Sequence, residues 1–279
     1  MADQKKEMVD ALAGQQPASN QSIDPTTLLA ILAGPAALTA DREKLEQATA
    51  LDRKGYLKPE IYDKTGWFKG FDGKWRFEIP DIASDWKPHI LNQFDKINPN
   101  SLVQIKGGTP VGNMYDHPEL FAAYPHLSRI PINQMKEEGG AVYNAYPYHT
   151  QEKSGMIEMG PDRPYALKPT LMHEFQHGVQ HREGFHGGAN PDWFEKLGYP
   201  PSEADKLYWN TTGEVEARNV ANRSNYKNEN VLKSSPPWTT EDVPKTAQIK
   251  GTVLGWQGDR QMPKSWGFYA PGQRITDLY

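Results

Sequence analysis

Lys168-Pro169-Thr170-Leu171-Met172-His173-Glu174-Phe175-Gln176-His177-Gly178-Val179-Gln180-His181 is the stretch on which the fold turns. Leu171, Met172, Phe175 and Val179 recur at helical spacing and predict one apolar face, with Pro169 in the first turn. His173-Glu174-x-x-His177 is the HExxH pattern. Two histidines at i and i+4 stand one turn apart on the same side of a helix, so both imidazoles can reach one ion. A glutamate directly after the first histidine lies beside them without ligating. From there it can take a proton from a water bound to the ion, which is the role expected of Glu174. Half of the eight histidines fall in this neighbourhood: His173, His177, His181 and His186.

A two-histidine site needs a third ligand, and several residues compete for that place. Glu214 lies in Thr211-Thr212-Gly213-Glu214-Val215-Glu216-Ala217-Arg218, where Thr212 reads as the N-cap of a second helix. Glu216 is about 200° around that helix from Glu214, so only one of the two can face the ion. Ala217 is small enough to let two helices pack closely. A carboxylate from a second helix beside HExxH is the gluzincin arrangement. Glu183 stands six residues after His177, the metzincin spacing, but Gln180 occupies the place where that arrangement needs a turning glycine. His181 continues the same helical face, about 6 Å further along the axis, a poor fit for closing a tetrahedral site. Glu214 is the expected ligand; Glu216, Glu183 and His181 stand as alternatives or as residues around the site.

Working outward, Trp67-Phe68-Lys69 and Trp75-Arg76-Phe77-Glu78-Ile79 flank a Phe71-Asp72-Gly73-Lys74 turn signal and predict a hairpin. Trp75, Phe77 and Ile79 alternate with Arg76 and Glu78, the period of a half-buried strand. Further strands are expected at Leu102–Ile105, Arg129–Ile132, Ala141–Tyr146 and Gly155–Met159, the last as the edge of a cleft. Helices are expected over 88–98 and 116–123. Near the N-terminus, Leu28–Ala33 reads as a helix capped by Asp24 with Pro25 at N1, followed by a helix from about Ala36 to Arg53 that Gly55 ends. The run of helices, short strands and helices predicts an α+β class, with a small mixed sheet packed on the HExxH helix and on a second ligand-bearing helix. The expected organisation is a flexible leader over 1–24, an N-terminal helical segment over 25–64, the main domain over 65–245, and a C-terminal tail over 246–279.

Composition narrows the chemistry. Among 279 residues there is no cysteine, which excludes disulfides, thiolate-held zinc and a cysteine nucleophile. The net charge of −4 offers no excess of phosphate-neutralising side chains, so nucleic acid is not an expected partner. The mean hydropathy is −0.76, and no apolar run approaches the roughly 18 residues of a membrane span. The apolar stretch before Gly34-Pro35 is preceded by acidic residues and lies far from the start, unlike a signal peptide. No GxSxG elbow and no phosphate-cradling glycine loop occurs.

The blocks Thr65-Gly66-Trp67, Trp75–Ile79, His117-Pro118-Glu119-Leu120-Phe121-Ala122-Ala123-Tyr124-Pro125, the HExxH helix into Glu183-Gly184-Phe185, and Gly213–Asn219 together resemble a zincin-like domain of bacteriophage large polyvalent proteins, over roughly residues 35–245. That resemblance implies a Zn²⁺-dependent peptidase-like fold. It assigns His173 and His177 to the metal, Glu174 to catalysis and Glu214 to the downstream ligand. It implies polypeptide substrates, phage structural proteins as partners, and a place in the host cytoplasm or the virion interior. One departure matters: where many gluzincins carry an acidic residue four places after the ligand glutamate, this chain has Arg218, which cannot accept an imidazole N–H. The expected activity is peptide-bond hydrolysis by metal-activated water. A metal-stabilised, non-catalytic virion protein and an amidase acting on cell-wall peptide are the rival readings.

Overall fold

The computed structural model describes residues 29–94, 107–136, 140–145, 155–162, 164–224 and 235–250. They form an α+β structure of small sheets and several helices. The expected strand Leu102–Ile105, the leader over 1–24 and the residues after 250 lie outside these segments.

β1 (Leu29–Ala33), β2 (Trp67–Lys69) and β3 (Trp75–Pro80) make an antiparallel sheet in the order β1-β3-β2. The hairpin is as expected. β1 is a correction: Leu29–Ala33 is a strand, not a helix. Ala30, Ile31, Leu32 and Ala33 are all buried, and β1 lies against β3 on one side while Gln176 clasps Leu32. A short run that is apolar on every side suits a strand buried on both faces as well as a helix. The expected N-terminal helical segment therefore opens on a strand. It continues with helix α1 (Arg42–Arg53), whose N-cap Asp41 accepts from the Lys44 N–H. Residues 36–40 precede α1 as turns, so the helix starts later than expected. Gly55, with φ of 81°, follows its end. Helix α2 (Lys58–Thr65) leads into β2.

β3 reverses a second expectation. Arg76 and Glu78, read as its solvent side, are buried, while Trp75 and Phe77 are only partly so. Arg76 pairs with Asp72 and Glu216, and Glu78 pairs with Arg223 and accepts from the Tyr62 hydroxyl. Buried charges persist where a partner and hydrogen bonds replace water.

β4 (Asp85–Trp86) pairs with β6 (Tyr115–Asp116), and the short helix α3 (Pro88–Phe94) follows β4. Helix α4 (Pro118–Ala123) is capped by the His117 imidazole, which accepts from the Leu120 N–H. A four-stranded sheet has the order β5-β7-β9-β8, from Thr109–Pro110, Pro131–Gln134, Gly155–Met159 and Ala141–Ala145 respectively. β7 and β9 run parallel, and the other pairs are antiparallel. Gly155–Met159 thus lies inside the sheet. Among the described residues the outer strands are β5 and β8, which corrects the expected cleft edge.

Helix α5 (Pro164–Glu183) carries the HExxH residues. It starts before Pro169, which lies inside the helix instead of in its first turn and leaves the Tyr165 carbonyl without its i+4 donor. Leu171, Met172, Phe175 and Val179 are fully buried in the main core with Ile132, Ile157 and Tyr115. α6 (Pro191–Lys196), α7 (Pro201–Asn210) and α8 (Thr212–Arg223) complete the fold. The N-cap of α8 is Thr211, one residue before the expected Thr212. α8 packs along α5, with Ala217 and Val220 buried. No described helix is long and apolar enough to cross a membrane.

Candidate metal centre

α5 presents His173 and His177 one turn apart, and the first turn of α8 points Glu214 at them. The His173 and His177 Nε2 atoms are 3.0 Å apart. Glu214 Oε2 is 3.3 Å from His173 Nε2, and its Oε1 is 3.4 Å from His177 Nε2. These three residues are the group among the described residues whose ligand atoms all lie within 4.8 Å of one another. A tetrahedral ion with bonds of roughly 2.0–2.1 Å spaces its ligand atoms roughly 3.3–3.4 Å apart. The two imidazole nitrogens, and the Glu214 oxygen nearest to each, stand at about this range, and the donor set of two imidazoles and a carboxylate suits zinc.

The orientation of each ligand has a source. Gln180 Oε1 lies 2.8 Å from His177 Nδ1, so this nitrogen is the one that donates to the amide and Nε2 is the one that faces the cluster. The Gln180 amide donates in turn to the Gly213 carbonyl, 2.9 Å away. Glu214 accepts the Ala189 N–H at 3.0 Å. Gly188 rests against the site: a Cβ there would stand 2.6 Å from His177 Cε1 and closer still to Glu214 Oε1. A Cβ on Gly213 would likewise collide with the Gly187 backbone. The glycine loop over 184–188 is therefore a wall of the centre, where close backbone approach needs residues without side chains.

Glu174 is buried beside the trio. The Tyr143 backbone N–H of β8 donates to its carboxylate, and its Oε2 has no hydrogen-bond partner among the described residues. Burial pushes the Glu174 pKa up against the pull of His173 and His177. Burial also opposes charge on His177, but the Glu214 carboxylate outweighs it and lifts His177 to about 9. Glu214 is buried too, yet His177 and His173 hold it well below the usual carboxylate range. Opposite charges at this range outweigh desolvation, the electrostatics of a cluster built around positive charge.

The other expected candidates are placed elsewhere. Glu216 turns away from the trio, where it accepts from Arg76 Nε at 2.6 Å and from the Gln176 amide at 2.9 Å. Glu183 accepts the Ala36 N–H and the Tyr124 hydroxyl, and so ties the end of α5 to the loop after β1. His181 lies near the Tyr143 ring, outside the trio. Arg218 stacks on Trp209 and pairs with Asp242, so the imidazole support that it cannot give comes from Gln180.

Sequence reasoning missed three contributors. Gln180 was recoverable, since i+3 neighbours on a helix meet. The Ala189 N–H and Tyr208 left no local signal. Tyr208, on α7, lies near enough to Glu214 and Glu174 to feel both charges; burial, then Glu214, pushes its pKa up, so the hydroxyl keeps its proton.

Residues 30–87 match the family model described as Large polyvalent protein associated domain 23. The match supports an association with phage large polyvalent proteins. It spans β1 to β4 and includes neither the HExxH helix nor Glu214. No curated protein and no solved structure matches the chain.

Proposed function

We propose that the chain is a zinc-dependent peptide hydrolase of a phage large-polyvalent-protein system. The observation that carries this reading is the convergence of His173, His177 and Glu214 with Glu174 held beside them by the outer strand β8. His173, His177 and Glu214 would hold Zn²⁺, which when bound supplies a Lewis acid that acidifies water and polarises a carbonyl. Glu174 takes the proton of the attacking water on its unpartnered oxygen and returns it to the leaving amine. Its second oxygen stays on the Tyr143 N–H, which fixes the carboxylate. The Tyr208 hydroxyl is the donor placed to meet the negative charge that develops on the carbonyl oxygen. β8 offers the edge along which an extended peptide can lie, and this favours a polypeptide substrate.

The test is Glu174→Gln in untagged protein, assayed on casein and on peptidoglycan. The reading expects loss of casein hydrolysis by at least about 100-fold with metal content retained. Undiminished hydrolysis would refute Glu174 as the base. Activity confined to peptidoglycan would move the chain to the amidase reading.

A further inference from the structure

The matched segment is not a separate appendage of the metal centre. Two of its residues reach the HExxH helix and the ligand helix from the far side. The Leu32 backbone is clasped at both ends by Gln176, with N–H to Oε1 at 3.0 Å and Nε2 to C=O at 3.0 Å. Gln176 is itself the residue between Phe175 and His177 in the motif. Arg76 is buried, stacks 3.8 Å over the Phe185 ring, and is fixed by Asp72 on the hairpin turn. Its Nε donates to Glu216 Oε2 at 2.6 Å. Glu216 Oε1 then accepts from both amides of α5, Gln176 at 2.9 Å and Gln180 at 3.2 Å. Gln180 ends the chain on His177 Nδ1.

We infer that Gln180 is a positioning residue for His177, and that the matched segment sets its orientation through Arg76 and Glu216. The inference rests on the metal-centre reading above. The physical case is one of satisfied roles. A primary amide has one acceptor and two donor hydrogens, and all are assigned here: the oxygen to His177, the hydrogens to the Gly213 carbonyl and to Glu216. Only this amide orientation presents an acceptor to the imidazole. The Glu216 carboxylate enforces it, because a flipped amide would set oxygen against oxygen. Glu216 is aimed by the Arg76 guanidinium, whose Nε holds its Oε2. Each link is charge-assisted or buried, so loosening Arg76 frees Gln180 to rotate and His177 to lose its tautomer preference. A domain that accompanies larger proteins thereby acquires a definite task, the support of a metal site on neighbouring helices.

The experiment titrates Co²⁺ into the untagged, metal-stripped full chain, followed by visible absorption and by competition with Zn²⁺. The variants are Gln180→Ala, Arg76→Lys and the double variant, each with the melting temperature of the metal-free form. Gln180→Ala is expected to weaken Co²⁺ binding about 10- to 100-fold, the range for a lost support of a metal histidine. Arg76→Lys keeps the charge but loses the fork, and should weaken binding by a smaller factor. The decisive outcome is non-additivity: with Gln180 already replaced, Arg76→Lys should change Co²⁺ affinity by less than about twofold. Additive losses would overturn the relay. Unchanged affinity in Gln180→Ala would overturn the role of Gln180 while leaving the centre intact. A wild-type chain without Co²⁺ affinity would overturn both. If Arg76→Lys does not fold, Glu216→Gln takes its place in the same cycle.

Discussion

Gly188→Ala tests the build of the centre with one carbon atom. The added Cβ would stand 2.6 Å from His177 Cε1 and closer to Glu214 Oε1, against an ordinary contact of about 3.5–4 Å. One ligand must move by about 1 Å or the 184–188 loop must lift with the Ala189 N–H that holds Glu214. In the metal-free protein this is a local overpacking, worth about 1–3 kcal/mol. For metal the loss is larger, because a displaced ligand no longer reaches the point shared with its partners. A 100-fold weaker site corresponds to about 2.7 kcal/mol of lost linkage at fixed free metal. For a chain of this size that is a metal-induced rise in melting temperature smaller by roughly 5–10 °C. The assay is thermal unfolding of wild type and variant, each with chelator and with a fixed excess of buffered Zn²⁺. The reasoning predicts a modest fall in the chelated state and a much reduced increment on adding metal. An increment equal to that of wild type would refute the placement of Gly188 against the ligands.

Three further outcomes follow from the packing around the site. Arg223→Met leaves Glu78 buried without its guanidinium, and should cost about 3–5 kcal/mol, read as a fall of roughly 6–20 °C by calorimetry; a change within about 1 °C would contradict that account of β3. Glu183→Gln should lower thermal stability by loosening the loop after β1 while zinc affinity stays within about twofold, since Glu183 serves Ala36 and Tyr124 and not the ion. His117, fully buried, has its pKa pulled down to about 3 by burial, with Lys168 adding to the effect. Its folded pKa lies below the roughly 6.5 of an unfolded histidine, so the unfolded chain binds more protons from about pH 6.5 down to about 3, and stability falls as pH drops through that window. His117→Asn keeps an acceptor for the Leu120 N–H and removes the titration; urea unfolding across pH should show a flatter slope than wild type between pH 6.5 and 4, by about 1.4 kcal/mol per pH unit at most, and parallel curves would contradict it.

What the sequence made legible was local. The HExxH helix announces itself in side-chain spacing, and the aromatic hairpin in its alternation and turn. The 3.6 period alone says that only one of Glu214 and Glu216 can face the ion; which one is decided by the packing of α8 on α5, where Glu214 meets the histidines and Glu216 meets Gln176 and Gln180. The misread parts depend on distant partners. Leu28–Ala33 carries no period to separate a helix from a doubly buried strand, and β3 decides the matter from nearly fifty residues away. Arg76 and Glu78 look solvated until Glu216 and Arg223 are brought beside them across some 140 residues of chain. The order of the four-stranded sheet, which makes β8 and not β9 an outer strand, leaves no trace in either strand. The sequence excludes Arg218, a full turn from Glu214 on α8, as the support of His177 without naming its replacement, which stands at Gln180 on the same helix as the histidine.

The central claim is a metal centre made by His173, His177 and Glu214. The most direct measurement is metal content per chain, by mass spectrometry, of untagged protein purified without chelator, for wild type, His173→Ala and Glu214→Ala. The account predicts about one zinc per chain in wild type and little in either variant, with Glu183→Gln retaining it in full. Wild-type protein with well under one zinc per chain, or variants that hold as much as wild type, would contradict it.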